Sequence, residues 1–170
     1  MHNTTVRSFS IKLDKRGLEM HKFFASCTVI ASLIISLPSQ AASLDDVAAC
    51  AGTIIGNGAV DFSNGQKEAL NEAAEIAYAP YLARIIQEKP ARSEIELADK
   101  ILGASLDAII GKANANNFTV DTYEQVIGCY RLIAIEALKR LEALKANEKR
   151  IRALTQQGLE RITRVLSAGR

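Results

Sequence analysis

Tryptophan is absent from the 170 residues, and the two histidines and two methionines, His2, His21, Met1 and Met20, all precede residue 23. Beyond that point the chain has neither imidazole nor thioether. Histidine is the commonest general base, the usual partner of a nucleophilic Ser or Cys, and a frequent metal ligand. Ser-His and Cys-His catalysis, histidine-built zinc sites and His- or Met-ligated haem are therefore excluded downstream. Aromatic residues make up only 5% of the chain. Paired carboxylates remain as catalytic apparatus, but glycosidase-type sites stand in large clefts walled by aromatic sugar platforms, and here only Phe62, Phe118 and four tyrosines follow residue 41. Tyr78, Tyr81, Tyr123 and Tyr130 sit at helical spacing and read as core residues rather than haem ligands. No segment alternates apolar and polar residues with period two over a strand's length, so sheet is excluded as well.

Cysteine is also scarce, and its three positions carry information together with the N-terminal segment. Residues 23–37, FFASCTVIASLIISL, form an apolar run preceded by Lys22 and followed by Pro38 and the small-residue site Ser39-Gln40-Ala41. The run is shorter than the roughly 20 residues of a membrane span and has the layout of a secretory signal, with cleavage expected after Ala41. Met20 stands just before it and offers a second start, which would leave residues 1–19 as upstream sequence. The expected destination is outside the cytoplasm, periplasmic or secreted. Cys27 would leave with the signal, so the exported chain keeps Cys50 and Cys129, and in an oxidising compartment the two are expected to pair. Such a bridge closes a loop of about 80 residues and contributes roughly 4 kcal/mol in the chain-entropy account. A lipoprotein signal ending at Cys50 is disfavoured, because Asp45 and Asp46 separate that cysteine from the apolar run.

After residue 41 four segments open on a short polar residue followed three positions later by one able to reach back to its amide. They are Ser43 with Asp46, Ser63 with Gln66, Ser93 with Glu96, and Asp121 with Glu124. Helical periodicity follows each. In the first, Leu44, Val47, Ala51 and Ile54 form a stripe and Asn57-Gly58 is the expected stop. Gly52 and Gly56 leave room for another backbone, and Gly128 beside Cys129 points to the fourth segment as that neighbour. Gly56-Asn57-Gly58 is not a phosphate loop, since no strand precedes it and no Lys-Ser or Lys-Thr follows. The second stripe, Leu70, Ala74, Ala77, Tyr81 and Ile85, continues through Pro80, which predicts one helix bent at the proline and ended by Lys89-Pro90. Glu68, Glu72 and Glu75 on its outer side resemble the carboxylate rows of di-iron bundles, but no histidine completes a Glu-x-x-His set, so a solvated face is expected.

The third segment, Ser93 to about Ala113, carries Ile95, Ala98, Leu102, Leu106 and Ile109 flanked by Leu97, Ile101 and Ile110. That arc is wide enough to predict burial on more than one side. The fourth, Asp121 to Leu144, carries Cys129 and a wide stripe of Val126, Ile127, Tyr130, Ile133, Ala134, Ala137, Leu138, Leu141 and Leu144, and is the expected central core helix. No fresh cap stands at Asn147, so the helix is expected to continue towards Leu166 with a hinge near Asn147 or Gly158. The expectation is an all-α, disulfide-stapled bundle of four main helices, the last long and extending into a basic amphipathic C-terminal helix. Residues 42–144 form its core and 145–170 the extension.

Charge is divided along the chain. Residues 42–138 carry seven Lys or Arg against fourteen Asp or Glu, net −7, whereas residues 139–170 carry nine against three, net +6. On a helical wheel Lys149, Arg150, Arg161 and Arg164 fall away from the stripe of Ile151, Leu154, Ile162 and Val165, and these eight are the candidate partner-binding residues. The leading functional expectation is an exported protein that acts by binding. The partner would be another protein or an anionic membrane surface, with a homo-oligomer through the C-terminal helix as a further arrangement. Nucleic acid is disfavoured outside the cytoplasm, with no aromatic residue among the basic ones for base stacking. The alternatives are a carrier holding a small apolar ligand between helices and a carboxylate-based hydrolase. No catalytic residue, metal ligand or cofactor is assigned.

Overall fold

Between Asp46 and Asp61 the chain carries no charged residue, and Thr53 and Asn57 are its only strongly polar side chains. A helix of that composition can be enclosed on several sides. The computed structural model, which describes residues 42–66 and 68–168, does enclose it. Helix α1 (Leu44–Ser63) packs against α2 (Ala69–Glu88), α3 (Arg92–Asn114) and α4 (Val120–Lys139), followed by the short α5 (Leu141–Ala146) and by α6 (Glu148–Ala168). The described residues are all-helical, and none of their helices is long and apolar enough to cross a membrane. The expected signal segment, with its cleavage site, lies outside the described residues.

The centre of the bundle is α1 and not the segment from Asp121. Val47, Ala48, Ala51, Ile54 and Ile55 are wholly buried. By contrast α4 leaves Val120, Tyr123, Ile127 and Leu138 exposed. The reason is side-chain size. A Cβ on Gly52 would stand 2.1 Å from the Leu102 carbonyl oxygen, and one on Gly56 2.9 Å from that of Leu106. The close crossing is therefore with α3; Gly128, expected to take part, has nothing within 4 Å. Because α1 supplies the gap, α3 needs only one buried stripe, Ala98, Leu102 and Ile109, and Leu97 stays 51% exposed, against the expected burial on several sides.

Of the four capping boxes only the first forms as written: Ser43 Oγ accepts from the Asp46 N–H at 3.0 Å and Asp46 accepts the Ser43 N–H at 2.8 Å. Asn57-Gly58 does not stop α1. Gly58 instead faces α2, where a Cβ would meet that of Ala73 at 2.4 Å, and the helix continues to Ser63. The Ser63 to Gln66 segment closes α1 rather than opening α2. Gly65 adopts φ +98°, the Gln66 N–H donates to the Asp61 carbonyl at 3.0 Å and the Gly65 N–H to that of Phe62 at 3.1 Å, a Schellman arrangement. At α3 the cap is displaced, with Glu94 accepting the Ala91 N–H at 2.6 Å while Glu96 pairs with Arg92. At α4 Thr119 caps by accepting from the Thr122 N–H at 3.4 Å. Helix α2 does run through Pro80, and Lys89 ends it in a left-handed conformation at φ 48°.

Cys50 and Cys129 are bridged, with Cα atoms 4.7 Å apart and a sequence separation of 79, so the disulfide joins α1 to α4. The long final helix is interrupted at Arg140 and Asn147, and α6 folds back onto α2. Gly158 is no hinge: the chain stays helical there, and the Tyr78 ring lies 3.4 Å from where its Cβ would be.

Candidate functional site

Helix α6 is strongly amphipathic, and its register decides what it presents. Ile151 and Thr155 are turned inward, 3% and 7% exposed. Leu159, Ile162 and Leu166 follow on the same side, partly buried against the core. The Tyr78 ring fits over Gly158, and its phenol is held above its ordinary value by burial first and then by Asp99, with Arg161 acting in the opposite direction. Of the eight sequence-predicted contact residues, Ile151 is buried in the interior, while Leu154 and Ile162 are half-buried. Lys149, Arg150, Arg161, Arg164 and Val165 are exposed, Val165 at 73%. At 100° per residue Arg150, Arg161 and Arg164 share one edge of the helix, with Val165 beside them. Arg152 pairs with Glu148 at 2.9 Å. The four exposed candidate cations have no ion pair among the described residues.

Sequence reasoning missed a second charged assembly, and this one is buried. Arg84 and Glu136, 8% and 2% exposed, meet between α2 and α4 with Arg84 Nη1 and Glu136 Oε2 3.6 Å apart. Arg84 Nη1 also donates to the Ala42 carbonyl at 2.7 Å, and Arg84 Nε pairs with Glu88 at 3.0 Å. Arg140, from the break after α4, bonds Glu88 and donates to Gln87 Oε1 at 2.8 Å; its Nε lies 3.5 Å from Glu136 Oε2. Lys139 reaches the other oxygen of Glu136 at 3.4 Å. For Glu88, burial is the largest influence and raises its pKa, but hydrogen bonds and charge from Arg84 and Arg140 outweigh it and bring the net shift down. The signal was present in the sequence as Arg84 one turn after Tyr81 and Glu136 one turn after Ile133, opposite charges at stripe positions of two helices. The buried carboxylate stands among three cations, although its Oε2 accepts no hydrogen bond, and the cluster joins three chain segments. A smaller polar link lies alongside: the Tyr81 hydroxyl donates to Asp99 at 2.7 Å, and burial, then that bond, hold the phenol far above its ordinary value.

One surface depression lies at the α1–α2 turn, lined by Gly65, Gln66, Glu68, Ala69 and Glu72. It has no side chain larger than alanine on its apolar side and gives an apolar ligand nothing to bury against. Glu68, Glu72 and Glu75 are exposed, as a solvated face requires. These features define the class of protein, a disulfide-stapled helical bundle with a buried ionic lock and an outward basic helix face. Comparison with protein-family models, with curated proteins and with solved structures finds no match for the chain.

Proposed function

We propose that this protein is an exported interaction module that docks on an anionic membrane surface through the outward face of α6. The observation that carries this reading is that Lys149, Arg150, Arg161 and Arg164 stand exposed and without ion pairs among the described residues, although residues 42–138 have a net charge of −7. The cations that do engage the acidic body are Lys139 and Arg140, which precede α6. With its apolar stripe already packed on α2, α6 has little to insert into a bilayer. Attraction between the cations and anionic headgroups supplies the binding, about 1 kcal/mol per cation near the surface, with Val165 adding a small apolar contact. Three arginines along one edge of α6, with Lys149 to one side, suit a planar anionic surface better than a partner helix or peptide.

Co-sedimentation with phosphatidylglycerol and phosphatidylcholine vesicles tests this. The protein should bind the first and not the second, and binding should fall steeply as salt rises, because exposed charges are screened within about 8 Å at physiological ionic strength. Changing Arg150, Arg161 and Arg164 together to Gln should abolish it without altering the thermal midpoint. Binding that is absent from both vesicles, or that survives the triple change, overturns the reading.

A further inference from the structure

Helix α4 has two apolar faces, and only one is used inside the bundle. Val126, Cys129, Ile133 and Ala137 are buried against α1 and α2. Val120, Tyr123, Ile127, Tyr130 and Leu138 are exposed at 72, 57, 50, 36 and 45%. With Ala134 these five recur at steps of three and four along nineteen residues of helix, on a strip centred about 100° around the axis from the buried face. That is the narrow spacing of a two-helix seam rather than the broad stripe of a core-facing helix. The upper end of the strip is held in place, since Tyr123 meets Phe118 edge-on with centroids 4.9 Å apart.

We infer that this strip is the interface with a second copy of the chain, paired antiparallel about a two-fold axis near Gly128. The choice of occupant rests on charge. Glu124 and Arg131 flank the strip on its outer edge, seven residues apart, exposed and without an ion pair among the described residues. A two-fold axis midway between them brings Glu124 of each copy to Arg131 of the other, so the edge is complementary to itself. An axis at this level also brings Ile127 near Tyr130 and Tyr123 near Ala134 of the second copy, both pairs centred about one residue from the midpoint of the charge pair. A contiguous apolar strip of this kind is unfavourable to leave in water and is covered by association. The seam is smaller than a standard interface of about 800 Å² per partner, so the dimer dissociates on dilution. The inference does not depend on the membrane reading of α6.

Sedimentation velocity across a dilution series, on protein expressed from the full sequence and purified under oxidising conditions, supplies the test. Wild-type protein should shift from dimer to monomer with dilution. Ile127→Asp should raise the dissociation constant by at least about tenfold while the circular dichroism spectrum stays helical. Glu124→Arg and Arg131→Glu, each alone, place like charges together and should weaken self-association by roughly tenfold. Mixed, the two single variants should form a heterodimer, because every pair across the seam is then of opposite sign. Wild-type protein that stays monomeric at its highest soluble concentration, or a dimer unaffected by Ile127→Asp, overturns the inference. A heterodimer no tighter than either single variant overturns the antiparallel pairing.

Discussion

Single positions carry the strongest constraints in this molecule. Glu136 is nearly inaccessible and faces Arg84, Arg140 and Lys139. Removing its charge leaves Arg84 and Arg140 to share Glu88 as their one remaining carboxylate. Glu136→Gln should lower the unfolding free energy by about 3 kcal/mol, read from the urea midpoint, while Arg92→Ala, which breaks an exposed pair with Glu96, should leave the midpoint within error. Glycines divide in the same way. Gly52→Ala drives a methyl into the Leu102 carbonyl and should cost roughly 1–3 kcal/mol, whereas Gly103→Ala, with open space around it in mid-helix, should raise stability by about 0.5–1 kcal/mol. Sequence alone could not sort these glycines, because each reads as a flexible helical position until the neighbouring backbone is known. Acid response follows from two carboxylates. Asp46 is depressed by the hydrogen bonds of Ser43, and Glu88 by Arg84 and Arg140 against its burial. A depressed folded pKa stabilises above the ordinary carboxylate range and is lost as pH falls through the folded values, so the thermal midpoint should drop below about pH 4. Asp61, raised by burial, works in the opposite direction, and Asp46→Asn should flatten the decline.

At the scale of elements, the disulfide ties the central helix to the last of its three neighbours. Reduction should lower stability by roughly 4 kcal/mol in the chain-entropy account, visible as an earlier melt in the presence of reductant with helix content retained at low temperature. The break after α4 shows how a local pattern yields to tertiary contact. Residues 121–166 contain no proline, so periodicity favours one long helix. Arg140 adopts φ −105° and ψ 14° and reaches across to Glu88 and Gln87, and Asn147 turns its side-chain amide onto the Ala143 carbonyl at 3.0 Å. These two departures return α6 to the body. They also reassign its apolar stripe from a contact surface to packing on α2.

For the molecule as a whole, α6 serves both stability and binding, and its two sides can be separated. Ile151→Asp places a charge in the interior and should unfold the bundle or lower its midpoint sharply; Val165→Asp, on an exposed position, should leave the midpoint unchanged and weaken vesicle binding by adding a negative charge beside the arginines. Truncation after Leu144 removes Ile151 and Thr155 from the α2 surface and is expected to lower thermal stability. That outcome tests packing, and only the arginine changes test binding.

The sequence by itself determined what depends on local chemistry and composition. The lack of alternation required helices, the uncharged run from Val47 to Val60 allowed one of them to be enclosed, two cysteines downstream of the apolar segment identified the bridge, and the charge division marked the basic end. Tertiary structure decided which helix became central and which apolar stripe stayed free. Periodicity reports that a face is apolar and leaves open which neighbour covers it. That choice went to the helix with the smallest side chains: α1 lets α3 and α2 approach at Gly52, Gly56 and Gly58, so α1 is enclosed while α4, which carries Tyr123, Ile127 and Tyr130, keeps a second face in water.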